Sequence, residues 1–390
     1  MSGRELADIL ASFDEAAAAG EATALATIIG VRGSTYRRAG AHLLISPSGR
    51  QAGNISGGCL EGDVAVVGAE VLASGVPRLM LYDLTADDDA VWGLGLGCNG
   101  AIEVFVEPAR GDDPFWRAAR AALASEGTVA VVTVVERDGG PVGARALVWP
   151  DGRREGTLGE AALDAEADRL ARQAMRELRT AVHPVTVRGR AARLFVEVLH
   201  PPYRLVVCGA GHDAIPVVRL AGQLGWRVLV VDRREAFLTA ERFPGATFVR
   251  TEFPDAGRMV PTDAHTFVLV MTHNYIHDRN LLRAFLPTPA AYLGMLGPRA
   301  RTEKILRELA AEGVVISPER RRQIYGPVGL DIGSETPEEI ALAALAEILA
   351  VARGRPGGLL RDRRGPIHEA LDQAPDQTPA TPPPASAGRG

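Results

Sequence analysis

The sequence predicts an α/β protein: an N-terminal α/β domain over residues 1–199, followed by a doubly wound parallel sheet over residues 200–353. Three observations lead there. Leu205-Val206-Val207-Cys208 is an apolar run that meets Gly209-Ala210-Gly211, then an amphipathic stretch over 213–224, then a second apolar run over 228–231 that stops at Asp232. That order is strand, glycine turn, helix, strand, the Rossmann-like arrangement, with Gly209 at the tight turn, Gly211 where a phosphate would approach the backbone, and the small Ala214 where helix meets strand. Further apolar runs recur at 247–250, 265–271 and 290–294, the spacing of a parallel sheet with helical crossovers. Within residues 1–199, short strand-like runs alternate with helix-like stretches.

Composition narrows the class. The 390 residues supply two or three domains, and 46% hydrophobic with 23% charged residues describes an ordinary globular protein. A formal net charge of −5 offers no electrostatic case for nucleic acid. No apolar run approaches about 20 residues and the start, MSGRELADIL, lacks a signal-peptide layout, so no membrane span and a cytoplasmic location are expected. Cys59, Cys98 and Cys208 are too sparse for a disulfide framework.

In chain order, Leu6, Ile9, Leu10, Phe13 and Ala17 predict a packing helix over 5–19 that stops at Gly20. Residues 24–31 read as a strand leading into Arg32-Gly33-Ser34-Thr35-Tyr36-Arg37-Arg38-Ala39-Gly40. This mixture of glycines, hydroxyls and arginines suits a phosphate-bearing ligand, because guanidinium forks bind phosphate oxygens in pairs. A solvated hairpin loop is the plainer alternative. A strand at 42–46 and a Pro47-Ser48-Gly49 turn precede Gly53-Asn54-Ile55-Ser56-Gly57-Gly58-Cys59-Leu60-Glu61, and a helix follows over 63–72. Cys59 therefore falls at or near a helix N-terminus, where the thiolate is favoured. Gly97-Cys98-Asn99-Gly100 repeats the theme, so two cysteines could face one pocket; each could equally be a small residue in a crowded turn.

A strand over 101–107, a helix near 114–125, strands at 129–135 and 144–149, a helix over 160–178 and a strand at 195–199 complete the first half, and no internal repeat is evident. His200-Pro201-Pro202 marks the boundary. Asp232 lies about 20 residues after the glycines, where a Rossmann acid reaches a ribose hydroxyl. The strand at 265–271 ends in Thr272-His273-Asn274-Tyr275-Ile276-His277-Asp278, at the carboxyl edge where ligands gather in open α/β sheets. Arg299 opens a further helix, and Thr336-Pro337-Glu338-Glu339 supplies the N-cap, N1 proline and capping-box acid of the last one. Residues 354–390, rich in glycine, arginine, alanine and proline, read as a disordered tail.

Together these residues resemble the XdhC/CoxI family, the accessory factors of molybdenum hydroxylases. The resemblance is carried by Gly33-Ser34, Gly40, Gly57-Gly58-Cys59-Leu60-Glu61, Gly97-Cys98, the glycine turn ending in His212, Met271-Thr272-His273, Tyr292-Leu293-Gly294, Arg299, and Gly329-Leu330-Asp331-Ile332-Gly333 before Thr336-Pro337-Glu338-Glu339-Ile340. The sequence departs from the family pattern at Asn274, where an aspartate is usual, and at Pro298, where a serine usually follows the glycine. The resemblance implies a carrier that binds the molybdenum cofactor (molybdopterin), protects it while its terminal sulfido ligand is installed, and delivers it to an apo molybdenum hydroxylase of the xanthine dehydrogenase or carbon monoxide dehydrogenase type. It further implies a cysteine desulfurase as partner and is compatible with a homodimer. Candidate cofactor-binding residues are then Arg32, Ser34, Arg37, Arg38, Gly57, Gly58, Cys59, Glu61, Cys98, Gly209, Gly211, His212, Asp232, Thr272, His273 and Arg299, with Cys59 the candidate molybdenum contact. The alternative is an NAD(P)-dependent oxidoreductase with His212 or His273 as acid/base. Asp232 favours NAD there, although Arg233 and Arg234 blur the preference. That alternative leaves the glycine–cysteine region unexplained.

Overall fold

The structure, a computed structural model, describes residues 3–33, 35–83, 100–124 and 127–364. Its first half is the same unit written twice. The first copy runs α1 (Gly3–Ala18), β1 (Thr23–Gly33), β2 (His42–Ile45), β3 (Gln51–Gly53), α2 (Glu61–Ser74), β4 (Arg78–Asp83) and β5 (Gly100–Ala109). The second runs α3 (Pro114–Ala124), β6 (Val129–Arg137), β7 (Arg145–Val148), β8 (Arg154–Gly156), α4 (Ala161–Glu177), β9 (Ala181–Val187) and β10 (Arg190–Leu199). The sheet orders, β3-β2-β1-β5-β4 and β8-β7-β6-β10-β9, superpose term by term. The expectation of no internal repeat is therefore corrected. The sequence trace is short: Pro47-Ser48-Gly49-Arg50-Gln51-Ala52-Gly53 stands against Pro150-Asp151-Gly152-Arg153-Arg154-Glu155-Gly156. Both terminal glycines are obligatory. Gly53 (φ +89°) and Gly156 (φ +85°) lie so close to the preceding strand that a Cβ would sit 2.3 Å from the His42 carbonyl oxygen and 2.5 Å from that of Arg145.

Register fixes which positions correspond. Leu25 pairs with Glu107 as Val131 pairs with Glu197, and Thr27 pairs with Phe105 as Thr133 pairs with Phe195. Equivalent residues then meet across the interface in exchanged pairs. His42 of the first copy binds Glu197 of the second at 2.7 Å, while Arg145 of the second binds Glu107 of the first. Glu103 and Arg193, themselves equivalent, bind each other at 2.5 Å. Such reciprocity is the mark of a two-fold axis, here within one chain. Ile29, Phe105, Val135 and Phe195 form a small core on that axis. Around it α1 and α3 fill the space between the inner sheet faces, with Phe13 stacked on Trp116 at 3.9 Å, while α2 and α4 cover the outer faces.

The second half is a six-stranded, fully parallel sheet of order β13-β12-β11-β14-β15-β16. Its elements are β11 (Arg204–Cys208), α5 (Ala214–Gln223), β12 (Arg227–Asp232), β13 (Thr247–Arg250), α6 (Ala256–Met259), β14 (Thr266–Val270), α7 (Tyr275–Phe285), β15 (Tyr292–Met295), α8 (Arg299–Ala311), α9 (Pro318–Arg322), β16 (Ile324–Tyr325) and α10 (Pro337–Ala352). This is the predicted doubly wound sheet, with β16 added at an edge the sequence left blank. One core lies on each face, as expected of strands buried on both sides. The capping box of Thr336 and Glu339 is formed as read. Of the expected tail, residues 354–364 are described and include a short 3-10 helix, Leu360–Asp362, with Gly357 packed on Leu330. No helix among the described residues is long and apolar enough to cross a membrane.

Candidate functional site

Two clusters contain most of the described residues singled out from sequence. The first lies at the start of α2. Gly57 (φ +81°) and Gly58 (φ +114°) hold backbone conformations that side chains avoid, and they keep the chain out of the helix until Glu61. The loop is tied to the carboxylate of Glu61. One oxygen accepts the N–H groups of Ile55 (3.1 Å) and Ser56 (2.8 Å); the other accepts those of Gly58 (2.9 Å) and Leu60 (3.2 Å) and the Ser56 hydroxyl. Burial acts to raise this carboxyl's pKa, but the donors from Ser56 and its neighbours outweigh it and hold the group below the usual carboxylate range. Cys59, carried by this loop, is exposed, its Sγ 3.5 Å from the Ser56 carbonyl.

The Arg32–Gly40 loop joins this cluster through Tyr36. Its exposed ring lies over Gly57, 3.3 Å from where a Cβ would stand. Arg37 turns toward α1 and pairs with Glu5 at 2.5 Å, whereas Arg32 is exposed and Arg38 half-buried. Ser34 and Cys98 lie outside the described residues.

The second cluster sits at the carboxyl ends of β11, β12 and β14. Gly209 passes against the backbone of Met271, where a Cβ would approach the carbonyl oxygen to 2.8 Å. Gly211 and His212 follow, the histidine exposed. Asp232 is 1% exposed, and its two oxygens accept hydrogen bonds from Ala210 N (2.8 Å), Arg234 N (2.9 Å), Arg234 Nε (3.0 Å) and a terminal Arg234 nitrogen (2.9 Å). Burial works against its charge, yet the Arg234 fork and these N–H groups hold its carboxyl below the ordinary value. His273 adopts a left-handed backbone (φ +57°) and its Nε2 lies 2.6 Å from Asp213 Oδ2. Thr272 donates its hydroxyl to buried Asp278 at 2.5 Å, and Asp278 also binds Arg301.

Several of these partners were missed in the sequence. Arg299 is exposed at the start of α8, and it is Arg301 that reaches the strand ends; two residues apart on a helix face different ways. Asp213 and Asp278 carried no signal beyond their place in polar runs. Asn274, the departure from the family aspartate, is the N-cap of α7 and accepts from His277 N at 3.1 Å, a task an aspartate performs as well. Among the described residues no group of three or more histidine, cysteine, aspartate or glutamate side chains is placed to hold a metal ion.

Comparison with known proteins agrees with this architecture. The pattern described as the XdhC Rossmann domain matches residues 205–348, and that of the XdhC and CoxI family matches residues 16–83 and 122–187, one stretch in each repeat. A Bacillus subtilis protein, named as the probable A subunit of xanthine dehydrogenase, is 32% identical over 338 residues, covering 84% of this chain and 93% of that one. The chain belongs to the XdhC/CoxI family. The molybdenum cofactor insertion chaperone PaoD of Escherichia coli is 25% identical over 86% of each sequence. A crystal structure described as a xanthine dehydrogenase from Bacillus halodurans superposes with a TM-score of 0.73 at 29% identity, covering 91% of this chain and 97% of that one. In XdhC/CoxI terms, the Gly57-Gly58-Cys59 loop lies in the first family stretch, and Ala162 stands at the position equivalent to Cys59 in the second.

Proposed function

We propose that this chain binds a molybdenum cofactor, shields it while its terminal sulfido ligand is installed by a cysteine desulfurase, and hands it to an apo molybdenum hydroxylase of the xanthine dehydrogenase or carbon monoxide dehydrogenase type. The reading divides the chain into an N-terminal domain (1–199), a Rossmann-like domain (200–353) and a tail (354–390), and makes it a carrier rather than a turnover enzyme. The observation that carries it is the exposed thiol of Cys59 on a loop whose helical turn is held open by Glu61. The residues fit the cargo. A thiolate is a soft donor suited to a sulfur-ligated metal centre, and glycine-rich backbone presents N–H groups without side-chain obstruction to a pterin phosphate. Arg32 and Arg38 stand on the adjoining loop, and Tyr36 offers an aromatic edge beside Gly57. The relatives that are named as an insertion chaperone and as part of a xanthine dehydrogenase support the same reading.

The test is to purify the protein anaerobically, assay bound molybdenum and pterin, and add the loaded protein to an apo-hydroxylase. Cys59→Ser is expected to lower cofactor retention by about tenfold or more, a loss of roughly 1.4 kcal/mol in binding. Cys208→Ser is expected to leave it intact, because Cys208 is buried in β11, where burial pushes its thiol pKa up and keeps it neutral. Absence of pterin, with tight NAD(P)H binding and substrate-dependent turnover, would leave the oxidoreductase reading in its place.

A further inference from the structure

In a Rossmann turn the acid that ends the second strand accepts a hydrogen bond from the ribose 2′-hydroxyl of the dinucleotide. Asp232 holds that position at the end of β12. A carboxylate has about four lone-pair sites, and at Asp232 four N–H groups occupy them: Ala210 N and one Arg234 nitrogen on Oδ2, Arg234 N and Nε on Oδ1. The fork is held in place from below. The Arg234 guanidinium lies 3.9 Å from the centre of the Phe237 ring, and Arg242, which donates to the turn carbonyl of Ala210 at 3.0 Å, lies 5.2 Å from the same ring. A ribose hydroxyl is a neutral donor. To reach Asp232 it must displace an arm of the Arg234 fork, a bond with ionised groups at both ends, for one in which only the acceptor is ionised.

We propose that Arg234 is a specificity-determining residue that closes the Rossmann turn of this chain to nucleotides recognised through a free ribose 2′-hydroxyl, NAD(H) above all. Only the Arg234 side chain need be removed to restore the acceptor: it vacates one lone-pair site on each carboxylate oxygen, while the backbone N–H groups of Ala210 and Arg234 keep one each. The inference is independent of the carrier reading: the protein could hold molybdenum cofactor and still bind NADH, and only the inference would then fall.

The experiment titrates the full chain with NADH and, separately, NADPH, following nicotinamide fluorescence, for the wild type and Arg234→Ala. Wild type is expected to show no saturation with NADH up to about 1 mM. Arg234→Ala is expected to gain NADH affinity by about tenfold or more, the scale of one hydrogen bond to a charged acceptor. NADPH affinity is expected to stay level or fall, because the bared carboxylate repels a 2′-phosphate. That selectivity separates release of Asp232 from a mere opening of space, which would help both nucleotides alike. Should Arg234→Ala lose its native melting transition, Arg234→Met, which keeps an apolar stem over Phe237 and no donor, is read instead. Saturable micromolar NADH binding by the wild type overturns the proposal. So does a variant that gains for neither nucleotide or equally for both.

Discussion

In the first repeat the chain between β3 and α2 stays out of the helix as far as Leu60; in the second, α4 begins at Ala161, three residues earlier at equivalent positions. The acids correspond. Asp164 accepts from Leu158 N (2.7 Å) and the Thr157 hydroxyl (2.8 Å), as Glu61 accepts from Ile55, Ser56, Gly58 and Leu60. The difference is two glycines and one methylene. Gly57 and Gly58 permit left-handed backbone, and the longer Glu61 reaches back to more amides than Asp164 can; at the same positions Glu160 is an extended N-cap and Ala161 opens regular helix. Two copies of one framework thus show how an ordinary helix start becomes a loop that exposes a thiol, with the sheets beneath unchanged.

The largest effect tests what the copies share. Arg145→Met should destabilise the protein by about 3–5 kcal/mol in urea unfolding, because buried Glu107, whose carboxyl pKa burial already pushes up, and half-buried Asp113 are left without their cation. His42→Leu, its symmetry counterpart, should cost less, about 1–3 kcal/mol, since it takes one hydrogen bond from Glu197 and one from the Thr27 hydroxyl. Equal costs would mean that the copies bear the same electrostatic load, against the charge difference between the two pairs.

An intermediate effect separates the copies. Glu61→Ala should cost about 1–3 kcal/mol and change the rate at which Cys59 reacts with a disulfide reagent, whereas Asp164→Ala should cost a similar amount and leave that rate unmoved. Acid should mimic the first variant. The Glu61 pKa is lower in the folded chain, so its contribution is complete above the ordinary carboxylate value of about 4.3 and is lost as pH falls through the depressed one. Cys59 reactivity toward dithiodipyridine, followed from pH 7 downward as a ratio to that of a free small-molecule thiol, should stay constant until the pH falls below the ordinary carboxylate value of about 4.3. A change centred near pH 6 would assign the loop to another group. The smallest effect is expected of Ala162→Cys, which places a thiol in the second copy: cofactor retention should not rise, because that position lies inside α4 rather than on an open loop.

The sequence made the second half nearly transparent, because parallel strands buried on both faces read as unbroken apolar runs, and β11 to β15 fall within a residue or two of the expected bounds. The first half was harder. Strands such as β3, β8 and β16 are two or three residues long and carry no periodicity, and β4 is a partly exposed edge. The repeat escaped notice because its copies share a fold through burial pattern, while direct identity concentrates in the Pro-x-Gly-Arg turn and the glycine that closes it. At the sites, residue types were legible and partners were not. Nothing in Asp232-Arg233-Arg234 says that the chain turns so that the third residue's side chain folds back on the first.

The exchanged pairs across the internal axis also decide how this half comes apart. The equivalent acids Glu107 and Glu197 each take their side-chain partner from the other copy, Arg145 for the first and His42 for the second. A fragment ending before α3 would carry a carboxylate shaped for burial and no cation to bury it with. The two copies are therefore expected to unfold as one cooperative unit, and a single urea transition followed by probes placed in each copy would show that the duplication visible in the strand order does not divide the folding energetics.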